Sequence, residues 1–251
     1  GILPFPAILV SPEDGSTDLR PPITLNWEDG DDTFQLGFKI YFGTDNPPTN
    51  IENGTNLGLV ETYHPELDLH FNTEYFWQIV PFNIEGDAPD GPVWSFTTAP
   101  PDFAGGTGTQ DDPWQIETAY NLNCIKFYLG EEYNDNYYVQ RTDIDLGVVP
   151  WNEEAGWKPI GNEENRFFGN YNGVGYQITN LYINRPDDNY IGLFGYTDDA
   201  VFLNIGIQET DITGNHRVGG LAGYMRNSTS EKCHSTGSVI ATGSYVGGLA
   251  G

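Results

Sequence analysis

The sequence predicts an all-β chain in two parts, a two-sheet sandwich followed by a parallel β-helix. Three observations predict it. Thirty-one Gly, 17 Pro and 14% aromatic residues supply turns and strand formers, while Lys, Arg and Met, all good helix formers, total 11 of 251 residues. The first 100 residues hold about seven short apolar runs separated by turn signals, the count and spacing of a sandwich. The second half repeats one glycine motif at a fixed interval, which marks a stacked array.

Charge narrows the partners. Ten Lys and Arg stand against 36 Asp and Glu, a formal net charge of -26 and a pI near 4.1. Nucleic acid and anionic membranes need basic patches that this composition hardly builds. No apolar run reaches the ~18 residues of a membrane-spanning helix; the longest, Ile2–Val10, is broken by Pro4 and Pro6. The chain has no initiator Met and no basic n-region, so any targeting segment is expected to have been removed. With 38% hydrophobic residues the chain can bury a core, which argues against disorder. Two cysteines make no disulfide framework. Acidity without basic clusters fits a soluble extracellular protein, with salt or divalent cations around it.

The elements follow in order. Ile23-Thr24-Leu25-Asn26-Trp27 alternates apolar and polar residues. Phe38–Phe42, Tyr75–Val80 and Val93–Thr97 read as further strands. Ile2–Val10 reads as the first strand of this sandwich; an arm added to a neighbour's sheet is the other reading. The stretch 97–110 carries three Gly, two Pro and four Thr and is read as a boundary. The expected division is a sandwich over 1–99, a linker over 100–113 and a solenoid over 114–251. Leu25-Asn26-Trp27, Gly37–Gly43, Asn72–Ile79 and Gly91–Thr98 together resemble a fibronectin type III domain of bacterial surface and secreted proteins, over roughly residues 6–99. That resemblance implies a spacer or docking module, with Trp27, Tyr75 and Trp77 between the sheets.

Beyond the boundary, Ile191-Gly192-Leu193-Phe194-Gly195-Tyr196 recurs as Gly219–Tyr224 and again as Gly247–Gly251. The aligned glycines are Gly192, Gly220 and Gly248, equally spaced along the chain. One strand-like run lies between successive glycine motifs, and a period-2 run once or twice per repeat is expected, with Leu203, Ile205 and Ile207 on one face and Cys233 in the place of Ile205. The glycines are expected at sharp corners, where φ > 0 or a close backbone approach favours a residue without Cβ. Leu193, Leu221 and Leu249 are expected to form an apolar column. Thr118–Leu129 is the one helix candidate, a cap over the first coil. Trp114–Ala119, Asp143–Leu146, Trp157–Gly161, Phe168–Gly173 and Tyr176–Leu181, with the Gly-Leu repeats, resemble the GLUG-repeat β-helices of bacterial cell-surface proteins and adhesins. Gly251 falls inside the third motif, so the native polypeptide is expected to be longer or covered there by another chain.

Candidate chemistry is sparse. Asp143 and Asp145 imitate a catalytic pair by spacing, but in the motif they read as structural turn and strand residues. Glu28-Asp29-Gly30-Asp31-Asp32, with Glu85, Asp87 and Asp90, has two readings, a Ca²⁺ loop and a solvated acidic turn; its spacing matches no defined calcium loop. His64, His70, His216 and His234 lack metal-ligand spacing. Cys124 and Cys233 read as two buried thiols. Arg141, Lys158, Arg166, Arg185, Arg217 and Arg226 look scattered, with no two one period apart, against the poised base a polysaccharide lyase needs. Tyr133, Tyr137, Trp151 and Tyr190 are candidates to stack on sugars, and Tyr196 and Tyr224 to form a ladder; ordinary packing is the plainer account of all six.

The expected function is therefore that of a non-catalytic, extracellular bacterial surface protein, an adhesin or a component of a surface fibre or filament. No catalytic, cofactor or metal residue is assigned. Expected partners are other copies of the chain, other surface proteins and glycans. The alternative is a secreted carbohydrate-binding or carbohydrate-cleaving β-helix protein.

Overall fold

Along Glu74–Asn83 the residues Tyr75, Trp77, Ile79 and Pro81 are buried while their neighbours are not. This period of two makes the segment a strand with one face on a core. The same alternation organises the rest of the first unit. The computed structural model describes residues 1–20, 23–30, 35–65, 69–89 and 91–251, and its contacts divide the chain into Gly1–Pro100 and Pro101–Gly251.

The first unit contains β1 (Ile8–Ser11), β2 (Ser16–Leu19), β3 (Leu25–Glu28), β4 (Gly37–Gly43), β5 (Glu52–Gly58), β6 (Thr62–Tyr63), β7 (Glu74–Asn83), β8 (Gly86–Asp87) and β9 (Trp94–Thr98). One sheet runs β1-β3-β6 and the other β2-β9-β7-β4-β5, with β8 hairpinned onto β7. Ile8–Ser11 is thus the first strand of its own unit, antiparallel to β3. Between the sheets lie Leu25, Trp27, Ile40, Phe42, Tyr75, Trp77 and Phe96, all essentially inaccessible. Phe42 stacks on Tyr75 at 5.3 Å, and Trp77 meets Trp94 at 4.7 Å. At the start of β7 the Tyr75 hydroxyl accepts a hydrogen bond from the His70 N–H at 2.8 Å, which pins the preceding turn to the strand.

The second unit begins before its first strand. The Ala104 N–H donates to the Gln115 carbonyl and the Gln115 N–H to that of Gly105, Gly108 donates to Asp112, and Phe103 stacks on Trp114. The segment expected to be a linker, 100–113, is therefore built into the solenoid from about Asp102 onward. Its aromatic Phe103 has Trp114, Tyr128 and Tyr138 to pack on, which outweighs its Gly and Thr content. Thr118 caps the helix α1 (Ala119–Cys124) by a reciprocal bond with Asn121, and a 3₁₀ turn continues to Phe127. The helix is half the length expected. Leu122 and Ile125 are buried; Ala119, Phe127 and Leu129 are only half-buried.

The strands are β10 (Trp114–Ile116), β11 (Tyr137–Gln140), β12 (Ile144–Asp145), β13 (Asn170–Asn172), β14 (Gln177–Thr179), β15 (Tyr182–Asn184), β16 (Phe194–Asp198), β17 (Val201–Leu203), β18 (Gly206–Gly214), β19 (Ala222–Arg226), β20 (Thr229–Glu231) and β21 (His234–Ala241). All ladders between these strands are parallel. One sheet runs β10-β11-β13-β17-β20, a second β12-β14-β18 with β15 and β21 also on β18, and a third joins β16 to β19. The result is a β-solenoid of about five turns whose strands join in these three sheets, β18 bending at Glu209, where φ is 56°. Trp114, Tyr138, Tyr171, Phe202 and Ser230 are in register, so successive coils take unequal lengths of chain, the shortest from Trp114 to Tyr138 and the longest from Tyr138 to Tyr171. Ile144, Ile178, Ile207 and Ser235 form a second column.

One sequence expectation needs correcting here, and another is narrowed. Each complete coil carries more than one strand, and the run through Leu203 is broken at Asn204, whose φ is 52°. That corner changes the parity: Phe202 is buried and Leu203 only half-buried, with Ile205 and Ile207 inside beyond the bend. The motif glycines are also not left-handed. None of Gly192, Gly220 or Gly248 has positive φ; the left-handed corners fall instead at Asp199 and Asn227, at Asn204 and Lys232, at Asn180 and Glu209, and at Tyr190, Arg217 and Tyr245. The glycines are needed for close approach. A Cβ on Gly192 would lie 2.5 Å from the Gly219 carbonyl oxygen, and one on Gly223 would run into the backbone of Tyr190 and Ile191. Leu193 and Leu221 do form the expected column: Leu193 donates to the Gly220 carbonyl and Leu221 to that of Leu249, though Leu249 is half-buried.

Close approach and left-handed geometry make different predictions. Gly192→Ala and Gly223→Ala should each lower the Tm of the solenoid by about 5 °C or more. Gly248→Ala should leave it unchanged, because a Cβ there meets nothing within 4 Å. Thermal melts of the three variants check this; an equal cost at all three positions would contradict the close-approach account.

Candidate functional site

The corner residues Tyr190, Arg217 and Tyr245 occupy one position in three successive coils, since Ile191, Val218 and Val246 bridge in register directly after them. All three are left-handed, with φ of 62°, 60° and 65°. Beside them, Tyr196 on β16 pairs with Tyr224 on β19, their rings 4.9 Å apart and edge to face. The two columns form one spine. The Arg217 guanidinium lies 4.4 Å from the Tyr224 ring centre, 5.0 Å from Tyr190 and 5.9 Å from Tyr245, and its Nη1 donates to the Tyr190 hydroxyl at 2.6 Å. These are cation–π distances. Burial raises the Tyr190 hydroxyl's pKa, Arg217 opposes that shift and Glu163 adds to it.

Arg166 extends the spine. Because Phe167 bridges to Thr197, Arg166 sits one coil before Tyr196, and its guanidinium covers that ring at 4.6 Å. Arg166 and Arg226 both donate to Oδ2 of Asp198, at 3.0 and 3.2 Å, and Asp198 is almost fully buried. Three of the arginines expected to be scattered thus converge. The even spacing of the motif glycines hid this, since the coil from Phe167 to Thr197 is slightly longer than the repeat they define. Tyr196 and Tyr224, read as a ladder from their spacing, are one.

The other candidates are occupied structurally. Asp143 accepts from the Gln177 N–H at 2.8 Å, and Asp145 from Gly147 N–H and the Asn180 amide. The Asn180 amide, then the Gly147 N–H, hold the Asp145 carboxyl below the usual range. In the acidic loop, Gln35 donates to Asp29, Lys39 pairs with Asp87, and Glu85 lies 3.5 Å from the chain's amino terminus. Asp31, Asp32 and Asp90 lie outside the described residues. Among the described residues no three His, Cys, Asp or Glu group as a metal site. His64 bonds Thr24, and His216 Nδ1 accepts from Ser244 N–H. Cys124 and Cys233 are both thiols, not joined in a disulfide. Cys124 is buried, but Cys233 is half-buried rather than buried. Trp151 is not exposed: it packs on Trp157 at 5.3 Å. Tyr133 packs edge-on against Tyr128.

One residue stands outside these expectations. Lys126, in the 3₁₀ turn after α1, places its buried ammonium 4.7 Å from the centre of the Trp157 ring. Burial, and then the Arg185 guanidinium, push it down from 10.5 to about 7. Its position between apolar Ile125 and Phe127 is the only trace of this in the sequence.

No family model matches the chain. It is 50% identical over 93 residues, 37% of its length, to a protein of Evansella cellulosilytica named "Putative Gly-rich membrane protein". It is 34% identical over 153 residues, 58% of its length, to Halomucin of Haloquadratum walsbyi. The chain spans 10% and 2% of the lengths of these relatives. Among solved structures, a "putative immunoglobulin A1 protease" of Bacteroides ovatus matches with TM-score 0.38 and 15% identity, over 55% of this chain and 51% of that one. No helix among the described residues is long and apolar enough to cross a membrane.

The Lys126 environment has a pH signature. Between about pH 7 and 10.5 the unfolded chain holds a proton here that the folded chain has lost, so stability rises with pH across that window and the penalty is complete below it. Lys126→Met should therefore raise the Tm at pH 6, and its advantage over the parent should shrink by pH 10. Paired melts at the two pH values check this, because shifts from other groups are common to both proteins.

Proposed function

We propose that this chain is part of a non-catalytic extracellular surface protein of the adhesin or structural-fibre kind, in which a fibronectin type III module precedes a GLUG-type solenoid. The observation that carries this reading is the register of the solenoid. Its interior is filled by stacked columns such as Tyr138–Tyr171–Phe202 and Ile144–Ile178–Ile207. Its best-placed carboxylates are tied to main-chain and amide donors rather than gathered for chemistry. Such an object presents long regular faces, which suits mechanical and interfacial roles.

The module assignment draws on the strand order β1-β3-β6 against β5-β4-β7-β9. It also draws on the Tyr75 hydroxyl bonded to the upstream backbone at the start of β7, the arrangement of a tyrosine corner. The names of the relatives, a Gly-rich membrane protein and Halomucin, point the same way. A second reading, saccharide binding, is favoured by the tyrosine–arginine spine.

Protease shaving of intact source cells tests the surface reading. Peptides from residues 1–251 should be released while cytosolic markers stay inside, and their retention would overturn it. Electron microscopy of the native material separates the two forms: regular fibres mark a fibre component, dispersed particles an adhesin. The net charge of -26 adds a further expectation. Raising NaCl from about 0.05 to about 1 M shortens the screening length from roughly 14 to 3 Å and relieves self-repulsion, so the Tm should rise by about 5 °C or more. Scanning calorimetry at the two salt levels reads the shift.

A further inference from the structure

The outer face of the sheet β10-β11-β13-β17-β20 carries a groove of about 240 Å³. Two in-register columns floor it, Tyr137–Asn170–Val201 and Val139–Asn172–Leu203, and Gln110 and Pro113 also line it. Strands β10 and β20 lie in the coils before and after, so the groove sits within the stack. By the period of two, Val139 points away from the interior column of Tyr138, yet it is only 8% exposed, so the groove is recessed. None of the ten residues around it is charged, in a chain with 36 Asp and Glu. Its two asparagines are each held by one amide atom. Asn172 Oδ1 accepts from the Val174 N–H at 3.0 Å and from Asn204 Nδ2 at 3.1 Å. A main-chain N–H can only donate, so the atom it meets is the oxygen, and Nδ2 is left as an unused donor. Asn170 Nδ2 donates to the Asn134 and Asn136 carbonyls at 3.3 and 3.4 Å, which leaves its Oδ1 as an unused acceptor. Two residues apart on β13, the pair share one face. Among the described residues the Tyr137 hydroxyl makes no hydrogen bond. The groove thus offers one oriented donor, one oriented acceptor, a phenol and an apolar remainder.

We propose that this groove binds a neutral saccharide through one pyranose unit whose hydroxyls are all equatorial. Such a ring carries C–H groups on both faces and hydroxyls around its rim. One face lies on Tyr137 and its apolar neighbours. Two rim hydroxyls meet Asn172 Nδ2 and Asn170 Oδ1, since a hydroxyl both donates and accepts. An anionic ligand would find no cation in the groove and a net charge of -26 around it. A purely apolar partner would bury both amides without partners, which works against it. Pockets for drug-sized ligands run to about 300–1,000 Å³, so this smaller groove suits a single ring, with the rest of an oligosaccharide outside it. The proposal rests on the saccharide reading above, gives it a location separate from the tyrosine–arginine spine, and does not depend on where the protein resides.

Calorimetric titration of the 251-residue protein with cellotetraose is the test, with tetragalacturonate and indole as comparison ligands. Cellotetraose should bind with a Kd of roughly 0.1–1 mM, and each comparison ligand at least about tenfold more weakly. Asn172→Asp keeps the accepting oxygen and removes the donor, so it should weaken cellotetraose about tenfold at unchanged Tm. Tyr137→Ala should weaken it about threefold or more, and Tyr137→Phe, which keeps the ring, by less. Absence of saturable cellotetraose binding to about 10 mM would overturn the proposal; if tetragalacturonate still binds, the saccharide reading survives without this groove. Indole binding as tightly as cellotetraose would overturn it in favour of an apolar site. Cellotetraose binding that Asn172→Asp and Tyr137→Ala leave undiminished would likewise remove the groove and keep the saccharide reading. Shaving that fails on cells whose purified protein still binds cellotetraose would discard the surface reading and keep this one.

Discussion

The main-chain ladder between consecutive coils governs every other feature of the second unit. Leu193 reaches Gly220, Leu221 reaches Leu249, and Ile191 reaches Arg217, each through an N–H to carbonyl bond. Once those bonds form, a side chain's neighbours are its counterparts about 4.8 Å away in the coils before and after. An apolar residue gains in proportion to the apolar residues above and below it. An interior charge would need a partner in each coil, and Asp198 meets that condition with Arg166 on one side and Arg226 on the other. The same rule lets Arg217 stand between two tyrosines of its own column.

This constraint explains what the sequence made legible. The repeat was visible because two successive coils share one length, at β16–β19 and at Ala222–Ala250. The Leu193–Leu221 column and the Tyr196–Tyr224 ladder follow directly from it. In the first unit the alternation marked the strands β3, β4, β7 and β9, and the three residues that the resemblance put between the sheets, Trp27, Tyr75 and Trp77, are buried there.

What stayed hidden has equally physical causes. Coils of unequal length precede the regular ones, so a single period cannot align Arg166 with Tyr196. Corners made by Asn204, Asp199 and Tyr190 rather than glycine give no compositional signal, and each one resets which side chains face inward. Phe103 anchors a stretch whose Gly, Pro and Thr otherwise read as a linker. Lys126 is concealed because a long apolar stem lets a lysine pass as a surface residue in any pattern of apolar spacing.

The unequal coils carry one more implication. Asn172 pairs with Leu203, and Gln177 with Gly206, so four residues connect the two strands in one coil where two suffice in the next. The surplus is absorbed entirely at the bend, and the ladders on either side stay in step. Length at this bend is therefore decoupled from the architecture, and the outline of that edge can diversify by insertion and deletion while the stacked interior is inherited unaltered.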